Sequence, residues 1–358
     1  MSDFDYGNAR LRAMKSRLLA RRELEAMVEG NSIPSLITAL TRTAYRKPVE
    51  AALVRASGMD CIVEAVRIDL LSSLGTLGNF YQGGAREMAV IVLRAYDIHN
   101  LKAILRGLSK NVPPGEILTM LLPVGDLKYE TLMELSRASG PRGVIDSLAS
   151  MNLPIAQPFL RLRAEHPGAE VSDMELALDQ WYFREATISL KNSFQTEGYL
   201  YAALKLDADL TNLLTVLRFA HAPVERKLVS YRLGAPDFNS LFVGPGRLPF
   251  ALLGRAASQD TAAAAVEVLS GTPYEPALRA GLEAYTLSNR LSSFEKYLKK
   301  HRLDWMRGLI HRDPLGIGVL LGYLALKVNE TSNIRWIAHG INLRLKPDAI
   351  RMELELIS

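Results

Sequence analysis

Apolar residues recur along this chain at spacings of three and four, and runs that alternate with period two are scarce. That pattern predicts an all-α protein. Over residues 6–22, Leu11, Met14 and Leu18 share one face of a predicted helix. Its other faces carry Arg10, Arg12, Lys15, Arg17, Arg21 and Arg22 without an acid among them. Further helices are predicted over 60–74 and 85–108, where Pro113 and Pro114 stop the second pattern. Others are expected over 114–121, 127–136, 140–150, 172–194, 198–221 and 223–231, with short ones within 260–269. Two long ones close the chain, over 274–301 and 314–346. Residues 122–126 (LPVGD) and 241–248 (LFVGPGRL) are turn-rich, and looser breaks fall at 166–170 and 271–273.

A longer period lies over the helical one. Three predicted helices carry an acid three positions before an asparagine. The pairs are Asp97 with Asn100 in AYDIHNLKAILRG, Asp209 with Asn212 in LDADLTNLLTVLRF, and Glu330 with Asn333 in KVNETSNIRWIAHG. Six positions after each Asn stand Arg106, Arg218 and His339. The acids are 112 and 121 residues apart, too far for a short-period solenoid and suited to three copies of a small helical domain. A turn-rich segment follows each of the first two copies, and a helix bearing aromatics precedes each copy. The expected domains are 1–125, 126–248 and 249–358, with the order free to wrap so that the termini share a domain. An acid and an Asn three apart occupy one helix face, and a buried polar group is tolerated only when bonded. The repeated pair therefore predicts an interhelical structural network rather than an active site.

The remaining chemistry narrows the picture mostly by exclusion. The 358 residues are 48% hydrophobic and 23% charged, which excludes a disordered or fibrous chain. Cys61 stands alone, so no internal disulfide is possible. A formal charge of +5 permits an acidic partner without demanding one. The cations concentrate in the first helix (Arg10, Arg17, Arg21) and at Lys296, Lys299 and Lys300, beside His301 and Arg302; these are candidate docking patches. No DNA- or RNA-binding module is present, so no nucleic-acid partner is expected. The six His lack HExxH spacing, and there is no phosphate loop, dinucleotide fingerprint or nucleophile elbow. No catalytic residue, metal or cofactor is expected, and Asp207 with Asp209 reads as a solvated edge. The apolar run 315–326, LGIGVLLGYLAL, is shorter than the ~20 residues of a membrane span. It reads as core, with Gly316, Gly318 and Gly322 permitting close helix packing. The opening MSDFDYGNARL has no apolar leader, so no signal peptide is expected.

The repeat helices, the opening DYGNARLRAMKSRLL and the closing VNETSNIRWIAHGINLRLKPDAIR resemble the central-stalk connecting component of rotary ATPases. That family comprises the C subunits of archaeal-type and bacterial V-type ATP synthases and the d subunits of vacuolar ATPases. The resemblance covers essentially the whole chain and is strongest over 329–340. It implies three similar helical domains in a pseudo-threefold funnel, and no catalytic activity. One face would sit on the membrane rotor (proteolipid) ring, the cavity would receive the central shaft subunits, and the protein would carry torque between them. It implies a peripheral position on the cytoplasmic side of a membrane. It also makes Asp97, Asn100 and Arg106 equivalent to Asp209, Asn212 and Arg218 and to Glu330, Asn333 and His339. The third copy departs from the pattern, with Arg335 where the first has Lys102 and the second Leu214. The competing readings are an unrelated all-helical docking adaptor and an enzyme with a site at a domain junction.

Overall fold

A computed structural model describes residues 3–193, 198–234 and 238–357. Among the described residues there are α-helices and short 3-10 turns and no strand. The helices are α1 (Asp5–Lys15), α2 (Arg21–Glu29), α3 (Ile33–Thr41), α4 (Arg46–Leu53), α5 (Gly58–Gly75), α6 (Gly83–Ser109) and α7 (Pro114–Thr119). Then come α8 (Tyr129–Ser136), α9 (Pro141–Ser150), α10 (Gln157–Glu165), α11 (Val171–Ser193), α12 (Tyr199–His221) and α13 (Pro223–Arg232). The last are α14 (Phe250–Ala257), α15 (Ala262–Val268), α16 (Glu275–Ser288), α17 (Ser292–Arg312), α18 (Gly318–Asn342) and α19 (Pro347–Glu353). Their starts follow local chemistry: Ser32 and Thr261 accept the backbone N–H three residues on, and Pro sits in the first turn of α3, α7, α9, α10, α13, α16 and α19.

Three long predicted helices are interrupted, each for a nameable reason. The helix over 6–22 ends at Lys15 and resumes at Arg21, because the Leu19 N–H is drawn to the Glu330 carboxylate instead of an intrahelical carbonyl. Arg10, Arg17 and Arg21 thus lie on α1, on the connecting turn and on α2, not on one helix. The helix over 274–301 is cut by Asn289 in the left-handed conformation (φ 52°), one that Asn tolerates better than most residues. The helix over 314–346 starts only at Gly318, whose N–H donates to the Asp313 carboxylate at 2.8 Å, and stops before Arg344 (φ 56°). Helices α2, α3, α4, α10, α14 and α19 lie outside the predicted set; each has seven to nine residues, too few turns for a helical period to stand out. The predicted helix over 172–194 is found as α11, with Phe194 outside the described residues.

The chain divides into two compact units, Met1–Ala89 with Leu303–Ser358, and Val90–Arg302. The first unit joins both ends of the sequence. Its core packs α2–α5 against α18, with Val28, Leu40, Val49, Ile62 and Val66 meeting Ile334 and Ile337. The run 319–326 is buried, whereas Leu315 is exposed. A Cβ on Gly322 would stand 2.4 Å from Ile310 Cγ1, and one on Gly318 2.9 Å from the Leu309 carbonyl oxygen, so these glycines do allow the close approach of α17 and α18. In the second unit, α12 packs on α14 and α15, and α10 on α11.

Candidate functional site

The repeated acid–Asn pairs do the same local job. On α6, Asn100 Nδ2 donates to the Leu122 carbonyl and the Leu122 N–H donates to Asn100 Oδ1, both at 2.8 Å. One turn earlier Asp97 accepts the N–H groups of Asp126 and Leu127 at 2.8 and 3.1 Å. On α12, Asn212 makes the same reciprocal pair with Val243, both bonds 2.8 Å. Asp209 accepts from the Arg247 N–H at 3.0 Å, the Leu248 N–H at 3.1 Å and the Tyr274 hydroxyl at 2.7 Å. In both copies the acid is served by the fourth and fifth residues after the one that Asn holds. Each side chain therefore fixes the loop that returns over its own helix, where the backbone has no other element to satisfy it. Asp209 is fully buried and Asp207 pairs with Arg302 at 2.6 and 3.0 Å, which corrects the reading of these two acids as a solvated edge.

Glycine makes this clamp possible. A Cβ on Gly125 would fall 2.4 Å from the Asp97 carboxylate, and one on Gly246 would fall 2.1 Å from Asp209 Oδ1. Asp97 lacks a hydroxyl counterpart to Tyr274 among the described residues, since the turn before α10 reads MNLP. Burial raises its carboxyl to about 6, against the pull of the two backbone N–H groups.

In the first unit the third pair is completed differently. Asn333 holds Glu355 through two bonds of 3.1 Å. Glu330 accepts the Leu19 N–H at 2.5 Å, the Tyr45 hydroxyl at 2.8 Å and the Lys327 ammonium at 2.7 Å. Lys327 also pairs with Asp69 at 2.5 Å. Lys327 is 5% exposed, and burial alone would lower its pKa; Glu330 and Asp69 together raise it. Burial and Glu330 push the Tyr45 phenol up. Helical periodicity does not mark Tyr45 or Tyr274. Their shared signal is Thr-x-Tyr ahead of a proline, TAYRKP and TPYEP, and Thr43 and Thr272 donate alike to the Leu40 and Leu269 carbonyls at 2.7 and 2.8 Å.

The cations of the repeat, Arg106, Arg218 and His339, are all exposed. In the second unit a cavity of about 550 Å³ is lined by polar and charged side chains of α6 and α12, among them His99, Lys102, Arg106, Thr211 and Arg218. Lys102 pairs there with Asp179 at 2.5 Å, and Arg106 grips Glu175 through bonds of 2.5 and 2.6 Å. Burial pushes the Asp179 carboxyl up while Lys102 pulls it down. Carbonyl-bound asparagines, paired ions and fixed loops build a rigid surface with polar walls; they assemble no nucleophile with a base.

The family model described as ATP synthase (C/AC39) subunit matches residues 7–353. The chain belongs to this family. Like it in sequence are the C subunit of the A-type ATP synthase of Methanococcoides burtonii, 26% identical over 99% of this chain and 94% of that protein, and that of Methanocaldococcus jannaschii, 24% identical over 98% and 86%. The C subunit of the V-type ATP synthase of Deinococcus radiodurans is 25% identical over 99% and 91%. As a C/AC39 protein the chain is a non-catalytic coupling component of V/A-type rotary ATPases, and the unrelated-adaptor and enzyme readings are set aside. No helix among the described residues is long and apolar enough to cross a membrane.

Both basic patches of this C/AC39 protein include side chains already engaged by neighbours. Arg10 lies over the Phe80 ring at 5.4 Å and Arg21 pairs with Glu25 at 2.8 Å. Lys299 reaches Glu295 one turn back at 3.6 Å, while Arg302 is committed to Asp207. Arg335, the third-copy departure, is half-buried, and burial lowers its pKa.

Proposed function

We propose that the protein is the socket between the central shaft and the membrane rotor ring of a V/A-type rotary ATPase, peripheral on the cytoplasmic side of the membrane. In this reading it passes torque in ATP-driven ion transport or ion-driven ATP synthesis. The carrying observation is the loop clamp that recurs on α6, α12 and α18: a coupler under torque needs its loops locked to its helices, and Asp97–Asn100, Asp209–Asn212 and Glu330–Asn333 do that with buried, bonded groups. The recurrence supports three equivalent domains, 1–125, 126–248 and 249–358 with the termini sharing one, in a pseudo-threefold funnel. The polar cavity walls suit a removable protein partner better than a permanent core. The basic patches at Arg10, Arg17 and Arg21 and at Lys296, Lys299 and Lys300 would steer an acidic shaft end.

The test is capture of the tagged protein from detergent-solubilised membranes, with the bound proteins identified by mass spectrometry. Shaft subunits and proteolipid should come down together. Capture of neither overturns the reading.

A further inference from the structure

Counted from its Asn, each repeat helix presents the same outward positions. Five and one residues before the Asn, and two and six after it, stand Ala95, His99, Lys102 and Arg106 on α6 and Asp207, Thr211, Leu214 and Arg218 on α12. All of these line the cavity of the second unit. On α18 the same positions are Val328, Ser332, Arg335 and His339. Val328 is 40% exposed, and beside Arg335 stands Trp336, 50% exposed, at the position where α12 has the cavity residue Thr215.

The α18 face differs in two ways. It carries the one tryptophan of the three helices, left half in solvent on a helix otherwise buried on most sides. Its cation also lacks the acid that its counterpart on α6 has. Lys102 has Asp179, and Leu214 on α12 carries no charge, whereas Arg335 pairs with no carboxylate among the described residues and its buried Nε has no acceptor. A guanidinium so placed is a fork without a carboxylate. Arg335 is the one formal charge among Val328, Ser332, Arg335, Trp336 and His339, so the complementary group is an anionic one.

We propose that this face of α18 is a docking surface for an acidic segment of the central shaft, with Trp336 packing on it and Arg335 taking one of its carboxylates. This rests on the socket reading above. An exposed Trp next to a half-buried Arg offers the residue types that dominate protein–protein binding energy. A single half-buried guanidinium missing one acid calls for a placed carboxylate, which disfavours a lipid surface or an apolar ring loop.

The experiment uses the full-length protein and the purified shaft subunits of the same ATPase. With Trp181 and Trp305 replaced by Phe, Trp336 becomes a single reporter; shaft addition should shift its emission to the blue and shield it from acrylamide. Trp336→Ala and Arg335→Glu should each weaken shaft binding by about tenfold or more, and Arg335→Lys by only a few-fold, while their helical spectra and melting temperatures stay near wild type. A variant that melts early is replaced by Trp336→Phe or Arg335→Gln, for which the same loss in reduced measure is expected. Wild-type affinity in all variants with unchanged Trp336 emission overturns this proposal and leaves the socket reading intact, as does loss of ring capture with shaft binding retained. Failure of the wild-type chain to bind the shaft at all overturns both.

Discussion

The clamps of the two units solve one problem with different materials. In the second unit, Asp97 and Asp209 meet backbone N–H groups of a loop that continues past the residue held by Asn. In the first unit Glu330 draws on separate parts of the chain, and Leu19, Tyr45 and Lys327 take the place of those loop groups. The longer Glu reaches this scattered set, and a buried ammonium with a second carboxylate, Asp69, balances it. A loop thus satisfies a carboxylate with neutral dipoles, whereas a closure between distant segments brings in charge.

The largest effect expected from that difference lies at the position three before the acid. Lys327→Met should cost about 3–5 kcal/mol, because it leaves the buried Glu330 and the partly buried Asp69 without their shared cation. Its counterpart Arg94 pairs with Asp126 in a solvent-exposed bridge, and Arg94→Met should cost at most ~1 kcal/mol. Urea unfolding of both variants is the measurement, and equal losses would remove the contrast.

Next in size is the acid held by dipoles alone. The folded chain binds the Asp97 proton more tightly than the unfolded chain, with a pKa raised to about 6 from 3.8. Its contribution to stability is therefore greatest below pH 4, declines as pH rises between 4 and 6, and is flat above. At ~1.4 kcal/mol per pKa unit the decline is about 3 kcal/mol. Asp97→Asn should flatten the profile, visible as the difference between variant and wild-type urea midpoints from pH 4 to 7; superimposable slopes would refute it.

The asparagines should show a smaller gradation. Asn212→Leu strands the Val243 N–H and carbonyl in a buried loop and should cost ~2–3 kcal/mol; Asn333→Leu takes the Asn partner only from the half-buried Glu355 N–H, since the Asn329 amide still donates to the Glu355 carbonyl, and should cost ~1 kcal/mol. Thermal melts distinguish them. Smallest is the effect on docking. Glu at Arg10, Arg17 and Arg21 together, or at Lys296, Lys299 and Lys300 together, should slow shaft association a few-fold and blunt its salt dependence, since steering is screened over about 8 Å at physiological salt. Surface-immobilised kinetics would show which patch faces the shaft, and no change in either would make both plain solvated surface.

The sequence carried the helices and the acid–Asn pairs because both are local: a 3.6-residue period and a three-residue spacing lie within one turn. What the pairs hold was not legible. Leu122 and Val243 lie 22 and 31 residues from their asparagines, and Tyr45 is 285 from Glu330. The break after Lys15 was hidden for the same reason, its cause being a carboxylate 311 residues away. Gly125 and Gly246 looked like ordinary turn glycines, since the space they leave is filled by an acid from a preceding helix.

The joining of early and late segments in one unit also sets an order of events during synthesis. Helices α2–α5 leave the ribosome first, yet the helix that covers their apolar faces, α18, is made after the roughly 200 residues of the other unit. At 5–20 residues per second that interval is about 10–40 s. The earliest segment is thus the last to be sheltered, and a chain truncated before Gly318 would never shelter it. Only a chain that carries α18 can close the core that α2–α5 begin.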